Sequence, residues 1–308
     1  MDQCLRSAVV LHPMITLGQQ WHGLGLWTLS KHPISRPLNR PSRPWPLIMS
    51  SPISRPSKLA ENPSPSIGSG ADTPYLISNY LVRDLRHVML KVAANEGWFR
   101  NHWLGVPIWQ LPDDLMGLQQ AVTAIRPGLI IETGTKYGGC ALFFASMLSL
   151  LGLEQSRVIT IDIRPTAEAE AVRREQGLAR FVSEWLVGSS LEPGVLETVA
   201  ANVAKTSGPV LVFLDDWHDG DHVLAEIRAY QKFVDRDGLL IVADTSFADL
   251  AGTPVAPYRS LVDSNPRTAI ASFLAESDAF ERCETYLSAS GLSNFADGYL
   301  RRKPNAEE

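Results

Sequence analysis

The chain has 308 residues, of which 45% are hydrophobic and 20% are charged. This composition is typical of a soluble globular protein and excludes collagen, coiled coils and wholly disordered chains. The longest nearly apolar stretch, residues 141–153, is shorter than the roughly 20 residues that span a bilayer, so no membrane span is expected.

The charge is unevenly divided along the chain. Residues 1–70 contain seven Lys or Arg and two acidic residues, a net charge of +5, which leaves −10 for residues 71–308 because the whole chain carries −5. An acidic body argues against nucleic acid as a partner, since phosphate contacts need a basic surface. Three widely spaced cysteines fit no zinc-site pattern and predict a reducing, cytoplasmic location.

Residues 1–70 are predicted to form a disordered arm. Nine prolines and nine serines lie between Lys31 and Gly70, and such a segment cannot bury enough apolar surface to fold. The arm is interpreted as an organelle transit peptide, as a ligand of a proline-recognising domain, or as sequence upstream of a start at Met49. We favour the last, and expect residues 1–48 to be dispensable for folding and cofactor binding.

Residues 71–126 are predicted to form an N-terminal helical segment and lid. Helical periodicity runs from Tyr75 to about Ala94, and a second helix, Leu115–Ile125, ends before Pro127. The apolar face of the first helix predicts a lid or an oligomer contact, and therefore a possible homo-oligomer.

Residues 127–303 are predicted to form a cofactor-binding domain of the α/β class. Short apolar runs alternate with helices, and runs without polar alternation indicate strands that are covered on both faces. We therefore predict a doubly wound, mostly parallel sheet that ends in an antiparallel edge hairpin over residues 282–289 and 298–302. The predicted parallel strands are 129–131, 158–161, 185–187, 210–214 and 239–242.

Ligands of such sheets lie beyond the carboxyl ends of the strands. The first predicted strand is followed by a glycine-rich loop, Glu132–Gly139, whose spacing differs from the dinucleotide fingerprint G-x-G-x-x-G. The second ends at Asp162, which can accept two hydrogen bonds from ribose hydroxyls or, alternatively, cap a helix. This layout predicts a nucleoside cofactor.

Two further strands end in carboxylates. Asp215 and Asp244 can converge on one hard cation that lowers the pKa of a substrate hydroxyl, and His218 can act as a general base. Alternatively, both aspartates cap the following helices. His222 and Glu226 are four residues apart and are interpreted as a structural helix face.

Several segments together resemble the cephalosporin hydroxylase and rhamnosyl O-methyltransferase family. The resemblance covers about residues 101–302 and implies a Rossmann-like methyltransferase fold. It also implies S-adenosylmethionine as cofactor, often with Mg²⁺, and a hydroxyl of a sugar or secondary metabolite as methyl acceptor. The segments are LIIETGTKYGGCALFFA (129–145), VITIDI (158–163), GSS (188–190), VFLDDWHDGDHVLAEIRAY (212–230), DT (244–245) and GYLRR (298–302).

The resemblance also implies roles for individual residues. The residues between 132 and 190 are assigned to the cofactor, and those between 215 and 244 are assigned to the metal and to catalysis. The methionine end of the cofactor is assigned to Glu132, Gly134, Gly138 and Gly139, the ribose to Asp162, the adenine side to Ser189 and Ser190, the metal to Asp215 and Asp244, and catalysis to His218 with Asp215.

The sequence departs from the family pattern at two positions. Trp217 replaces a carboxylate of the usual L-D-S-D-H, and Ala243 replaces a glutamate. Losing one hard ligand weakens a magnesium site but does not abolish it, because Mg²⁺ retains waters. The alternatives are a non-catalytic or metal-independent relative that binds S-adenosylmethionine, and a nicotinamide-dependent oxidoreductase. Residues 246–265 are predicted to form a substrate lid or, alternatively, a plain surface loop.

Overall fold

The structure, a computed structural model, describes residues 79–287 and 292–303. The arm predicted for residues 1–70 and the end of the predicted hairpin strand, residues 288–289, lie outside the described residues. Within the described part, no helix combines the length and the apolar character needed to cross a membrane.

Two sheets are present in the described part of the chain. A small antiparallel hairpin joins β1 (His102–Trp103) to β2 (Val106–Pro107). The central sheet has seven strands, which are β3 (Leu129–Thr133), β4 (Arg157–Asp162), β5 (Val182–Val187), β6 (Val210–Leu214), β7 (Leu239–Val242), β8 (Phe280–Arg282) and β9 (Tyr299–Arg302).

The strand order of the central sheet is β5-β4-β3-β6-β7-β9-β8. The first five strands of this order are parallel, and the last two pair antiparallel at one edge. The predicted doubly wound sheet with an antiparallel edge hairpin is confirmed. The first strand of that hairpin is shorter and earlier than predicted, since β8 ends at Arg282.

Eight α-helices accompany the strands in the described range. They are α1 (Asn79–Glu96), α2 (Pro112–Ile125), α3 (Gly139–Leu150), α4 (Ala167–Glu175), α5 (Pro193–Val203), α6 (Gly220–Tyr230), α7 (Phe247–Leu250) and α8 (Pro266–Glu276). Helix α4 is not predicted from the sequence, because its segment AEAEAVRRE is short and contains mainly charged residues. A Thr166 cap and basic residues in the last turn favour this helix instead.

The core lies on both faces of the sheet. On one face, Ile130, Leu211 and Phe213 pack with residues of α2 and α3. On the other face, Ile131 and Val212 pack with residues of α5, α6 and α8. Successive residues of a strand point to opposite faces of the sheet, and both faces are covered by helices. The strands are therefore apolar at every position and do not alternate between apolar and polar residues.

Helix α1 packs against residues 246–265, the segment predicted to be a substrate lid. Leu90 and Ala94 join Phe247, Leu250 and Leu261 in a separate apolar cluster. The periodic apolar face of the sequence, which includes Leu85, Val88, Met89 and Val92, is the other one, and it is half exposed. The contact made by that face stays a prediction, as does the role of residues 246–265 as a substrate lid.

Candidate active site

An open cleft of about 750 Å³ lies at the carboxyl ends of the parallel strands. Most of the residues chosen from sequence line this cleft. They are Gly134, Gly139, Asp162, Ser189, Ser190, Asp215, His218 and Asp244. The structure places Glu132 and Gly138 outside the cleft lining.

The glycine loop is shaped by close backbone contacts. Gly134 has φ +90°, and a Cβ atom there would lie 2.1 Å from the carbonyl oxygen of Asp215. A Cβ atom at Gly139 would lie 2.1 Å from the carbonyl oxygen of Pro107. Any larger residue would therefore push the loop away from β6 or from the hairpin, so glycine is required for packing as well as for access to the cleft.

Glu132 lies behind the glycine loop, fully buried in β3. Thr160 donates a hydrogen bond of 2.6 Å to its Oε2, while Oε1 accepts none from the described residues. Burial raises the pKa of Glu132 to about 8. Gly138 faces Trp185 and Ala169 instead of the cleft. Glu132 therefore supports the loop from behind through Thr160, whose hydroxyl lies 2.6 Å from that of Thr135.

Asp162 lies in the cleft wall at the end of β4. Its Oδ2 accepts a hydrogen bond from the backbone N–H of Lys136 (2.8 Å), and its Oδ1 accepts one from the N–H of Arg164 (2.9 Å). The following helix is capped by Thr166, so Asp162 is not a helix cap. Each carboxylate oxygen keeps a lone pair for a ligand.

Asp215, His218 and Asp244 meet in the cleft. Each offers one atom suited to a metal, and these atoms lie within 4.8 Å of one another. His218 Nε2 is 2.9 Å from Asp244 Oδ2. The alternative that the aspartates cap helices is not observed, because Asp219 caps α6 and no side chain caps α7.

The charge of this cluster fits a divalent cation. Burial raises the pKa of Asp215 well above its usual range, and the nearby carboxylates of Asp244 and Glu132 raise it further. Among the described residues, no lysine or arginine forms an ion pair with Asp215 or Asp244. Carboxylates that lie this close together must bind protons or a cation. Two carboxylates are the hard oxygen donors that Mg²⁺ prefers, so the donor set fits the ion that the family resemblance implies.

The two departures from the family pattern have different surroundings. Trp217 is 63% exposed and lines the cleft, with its ring centroid 6.2 Å from that of His222. Ala243 is 1% exposed and packs in the apolar layer with Phe213 and Phe295. A glutamate placed at Ala243 would enter this core, so restoring the family residue is not a clean test of metal binding.

Three polar residues that the sequence analysis overlooks hold the aspartates in place. Gln110 Nε2 donates to Asp215 Oδ2 at 2.7 Å. The Asn294 side-chain amide donates to Asp244 Oδ1, and the Asn294 backbone N–H donates to buried Asp114. Burial raises the pKa of Asp114 to about 7. No local motif marks these residues, because they lie 50 to 180 positions from their partners.

Replacing Asn294 with alanine is expected to lower turnover by about 10- to 100-fold, the usual effect of losing a residue that orients a ligand. The change removes the amide that orients Asp244 and leaves the buried Ser246 hydroxyl without its acceptor. Steady-state kinetics measures this effect, and calorimetry with S-adenosylmethionine should show unchanged cofactor affinity. Asn202→Ala, on α5, is the control. Equal kinetics in both variants would contradict the role of Asn294.

An aromatic wall, made of Phe99, Trp109 and Tyr137, borders the cleft. The Trp109 ring centroid lies 4.8 Å from that of Phe99 and 5.3 Å from that of Tyr137. Lys136 Nζ lies 4.9 Å from the Trp109 centroid, and the indole remains 39% exposed. Trp109 is adjacent in sequence to Gln110, which contacts Asp215, and the wall and the carboxylate cluster line the same cleft.

Comparisons with known proteins identify the family of this chain. A family model described as "Rhamnosyl O-methyltransferase/CmcI" matches residues 95–303, which confirms the resemblance. A rhamnosyl O-methyltransferase of Mycobacterium bovis is 29% identical over 164 residues, covering 53% of this chain and 63% of the relative. The Mycobacterium leprae protein of that name is 26% identical over 211 residues, covering 68% and 86%.

A solved structure, "cmcI-D160 Mg-SAM", shares the fold. Its TM-score is 0.50 at 16% identity, and the match covers 67% of this chain and 77% of that chain. This chain spans slightly less than two thirds of the Mycobacterium bovis relative.

Proposed function

Because the chain belongs to the rhamnosyl O-methyltransferase/CmcI family, we propose that it is an S-adenosylmethionine-dependent O-methyltransferase that acts on a hydroxyl of a sugar or secondary metabolite. The observation that carries this proposal is the meeting of Asp215, His218 and Asp244 in the same cleft as the glycine loop and Asp162. The residues proposed to bind the cofactor therefore line the same cleft as the candidate base and the candidate metal ligands.

The cofactor is proposed to lie along the strand ends. Gly134 and Gly139 leave the backbone open to its methionine end, and Asp162 accepts hydrogen bonds from the ribose hydroxyls. Ser189 and Ser190 line the adenine side, where the exposed Trp217 offers a flat surface to a base. Glu132 contributes indirectly, by supporting the loop.

The reaction is proposed as an in-line displacement. S-adenosylmethionine supplies the methyl group, so a carbon–oxygen bond forms at the acceptor as the carbon–sulfur bond breaks. A magnesium ion held by Asp215 and Asp244 would lower the pKa of the acceptor hydroxyl. His218 Nε2, 2.9 Å from Asp244 Oδ2, donates to that carboxylate, so His218 Nδ1 is the nitrogen that takes the hydroxyl proton, and Asp244 stabilises the imidazolium that results.

The acceptor is proposed to bind against the aromatic wall. A sugar ring has an apolar face of C–H bonds, which packs well on the exposed side of an indole. Lys136 covers the Trp109 ring and helps to hold its orientation. The relatives are named rhamnosyl O-methyltransferases, and a 6-deoxy sugar presents an additional methyl group to such a surface.

The direct test of the proposed function is methyl transfer from radiolabelled S-adenosylmethionine to methyl α-L-rhamnopyranoside by the full chain. Calorimetry with S-adenosylmethionine and with NAD separates the alternatives. Binding of S-adenosylmethionine without transfer to any sugar or phenolic hydroxyl would indicate a non-catalytic relative. Binding of NAD alone would indicate an oxidoreductase.

Replacing Asp162 with alanine is expected to weaken S-adenosylmethionine binding by about 1.5–3 kcal/mol for each charged hydrogen bond lost. Isothermal titration calorimetry measures the effect. Asp162→Asn keeps one acceptor oxygen for the Lys136 N–H and should show a smaller loss. Unchanged affinity in a folded Asp162→Ala variant would remove Asp162 from the cofactor site.

Replacing Trp109 with alanine is expected to raise the KM for methyl α-L-rhamnopyranoside roughly tenfold, since stacking on one indole contributes about 1.4 kcal/mol. Trp109→Phe keeps part of the ring surface and should lie between wild type and Trp109→Ala. The KM for S-adenosylmethionine should stay within about twofold. A rise confined to the cofactor KM would assign the aromatic wall to the cofactor instead.

The predicted homo-oligomer stays a prediction. The exposed face of α1 is the surface on which it rests, and its members are Leu85, Val88, Met89 and Val92, each with at least half of its surface accessible.

A further inference from the structure

A second cluster of candidate ligands lies beside the first and shares no residue with it. His222 Nε2 is 3.2 Å from Asp216 Oδ1 and 3.6 Å from Glu226 Oε2. One ligand atom from each of the three residues lies within 4.8 Å of the other two. From the sequence, His222 and Glu226 are interpreted as a structural helix face, because their spacing alone does not show that Asp216 joins them.

The backbone holds these three side chains in place. Asp219 caps α6, so the helix starts at Gly220 and carries His222 and Glu226 one turn apart on one face. Asp216 follows β6, and the Ser190 hydroxyl donates to its Oδ2 at 3.0 Å. The cluster thus lies between the end of β6 and the first two turns of α6.

Glu226 supplies an independent indication of a missing partner. Its side chain is 1% exposed, and neither carboxylate oxygen accepts a hydrogen bond from the described residues. Buried carboxylates are normally hydrogen-bonded, paired with a cation or bound to a metal. His222 alone offers at most one positive charge to two carboxylates, and burial raises the pKa of Glu226 well above its usual range, so the cluster needs a proton or a further cation.

We propose that Asp216, His222 and Glu226 bind a divalent transition-metal ion of the Zn²⁺ type, separate from the Asp215 and Asp244 site. Zn²⁺ bonds to nitrogen and oxygen are about 2.0–2.2 Å long, which places tetrahedral ligand atoms about 3.4 Å apart. The two distances to His222 Nε2, 3.2 and 3.6 Å, lie on either side of that value.

The donor set favours this ion over magnesium. An imidazole nitrogen suits Zn²⁺, whereas Mg²⁺ prefers oxygen ligands in octahedral geometry. Asp216 and His222 line the cleft, while Glu226 lies behind them, so a fourth position opens toward the cleft and takes a water or a ligand atom. The proposal depends on these side chains and not on methyl transfer.

The test is Zn²⁺ binding to the full chain after dialysis against a chelator. Titration calorimetry counts the Zn²⁺ equivalents and gives their affinities for wild type, Glu226→Gln, His222→Gln and Asp215→Asn. We expect one equivalent to be weakened at least tenfold in the first two variants and unchanged within about twofold in Asp215→Asn. Circular dichroism melting confirms that each variant folds.

Cobalt substitution gives a second measurement, because tetrahedral Co²⁺ has visible d–d absorption. This absorption should appear in wild type and in Asp215→Asn, and it should be lost in Glu226→Gln. The proposal is overturned if folded wild type binds no Zn²⁺, or if Glu226→Gln keeps every equivalent. Loss of binding in Asp215→Asn alone would also overturn it, by placing the ion on the other cluster.

Discussion

Replacing His218 with alanine is expected to lower turnover by about 10²- to 10⁴-fold, the usual contribution of a positioned general base. The imidazole Nε2 is held 2.9 Å from Asp244, and the ring packs on Phe247 with 4.3 Å between the centroids. Both contacts fix the ring in the cleft. Steady-state kinetics with saturating S-adenosylmethionine measures the loss.

The cofactor affinity of this variant should not change, because His218 is assigned to the acceptor side. His102→Ala is the matched control, since His102 is exposed in the hairpin. A His218→Ala enzyme with full activity would show that another group, or water, takes the proton.

Asp215→Asn and Asp244→Asn are each expected to abolish metal-stimulated turnover. The magnesium site proposed for these two carboxylates leaves most of the coordination to water, so activity should depend on added Mg²⁺ at concentrations of about 1 mM. Neutralising either carboxylate removes a hard ligand and half of the negative charge that holds the ion. S-adenosylmethionine binding, measured by calorimetry, should persist in both variants.

Asp221→Asn is the control, because this exposed carboxylate lies in the first turn of α6, outside the cluster. Titration with magnesium and with excess chelator separates metal dependence from loss of fold. Full activity in excess chelator, with both aspartate variants still active, would show that methyl transfer proceeds without metal.

Much of the fold follows from patterns that are local in sequence. The run LIIET (129–133) has no polar alternation until its end, and the structure buries all five residues in β3. Repetition of such runs between helices predicts parallel strands, and parallel strands place their carboxyl ends on one edge. Asp162, Asp215 and Asp244 could therefore be grouped before any contact was known.

The failures occur where local pattern is weak or misleading. The α4 segment is short and mainly charged, and its helix depends on the Thr166 cap and on packing of Ala169 and Val172. On α1, the periodic face containing Val88 stays a predicted lid or oligomer contact, and what the sequence did not indicate is the burial of Leu90 and Ala94 on the other face. Two faces of similar apolar character can be told apart only when the partner segment is in place.

The sequence by itself determined the class of fold, the edge of the sheet at which the cleft lies, and the carboxylates and histidine that gather there. Only the tertiary structure decided which polar groups surround them. Asn294 reaches Asp244 across 50 positions, and Asp216 joins His222 and Glu226 through the packing of α6 beside β6. Strand ends are set by local hydrophobic pattern, whereas these contacts form between segments that are brought together only by burial of a shared core.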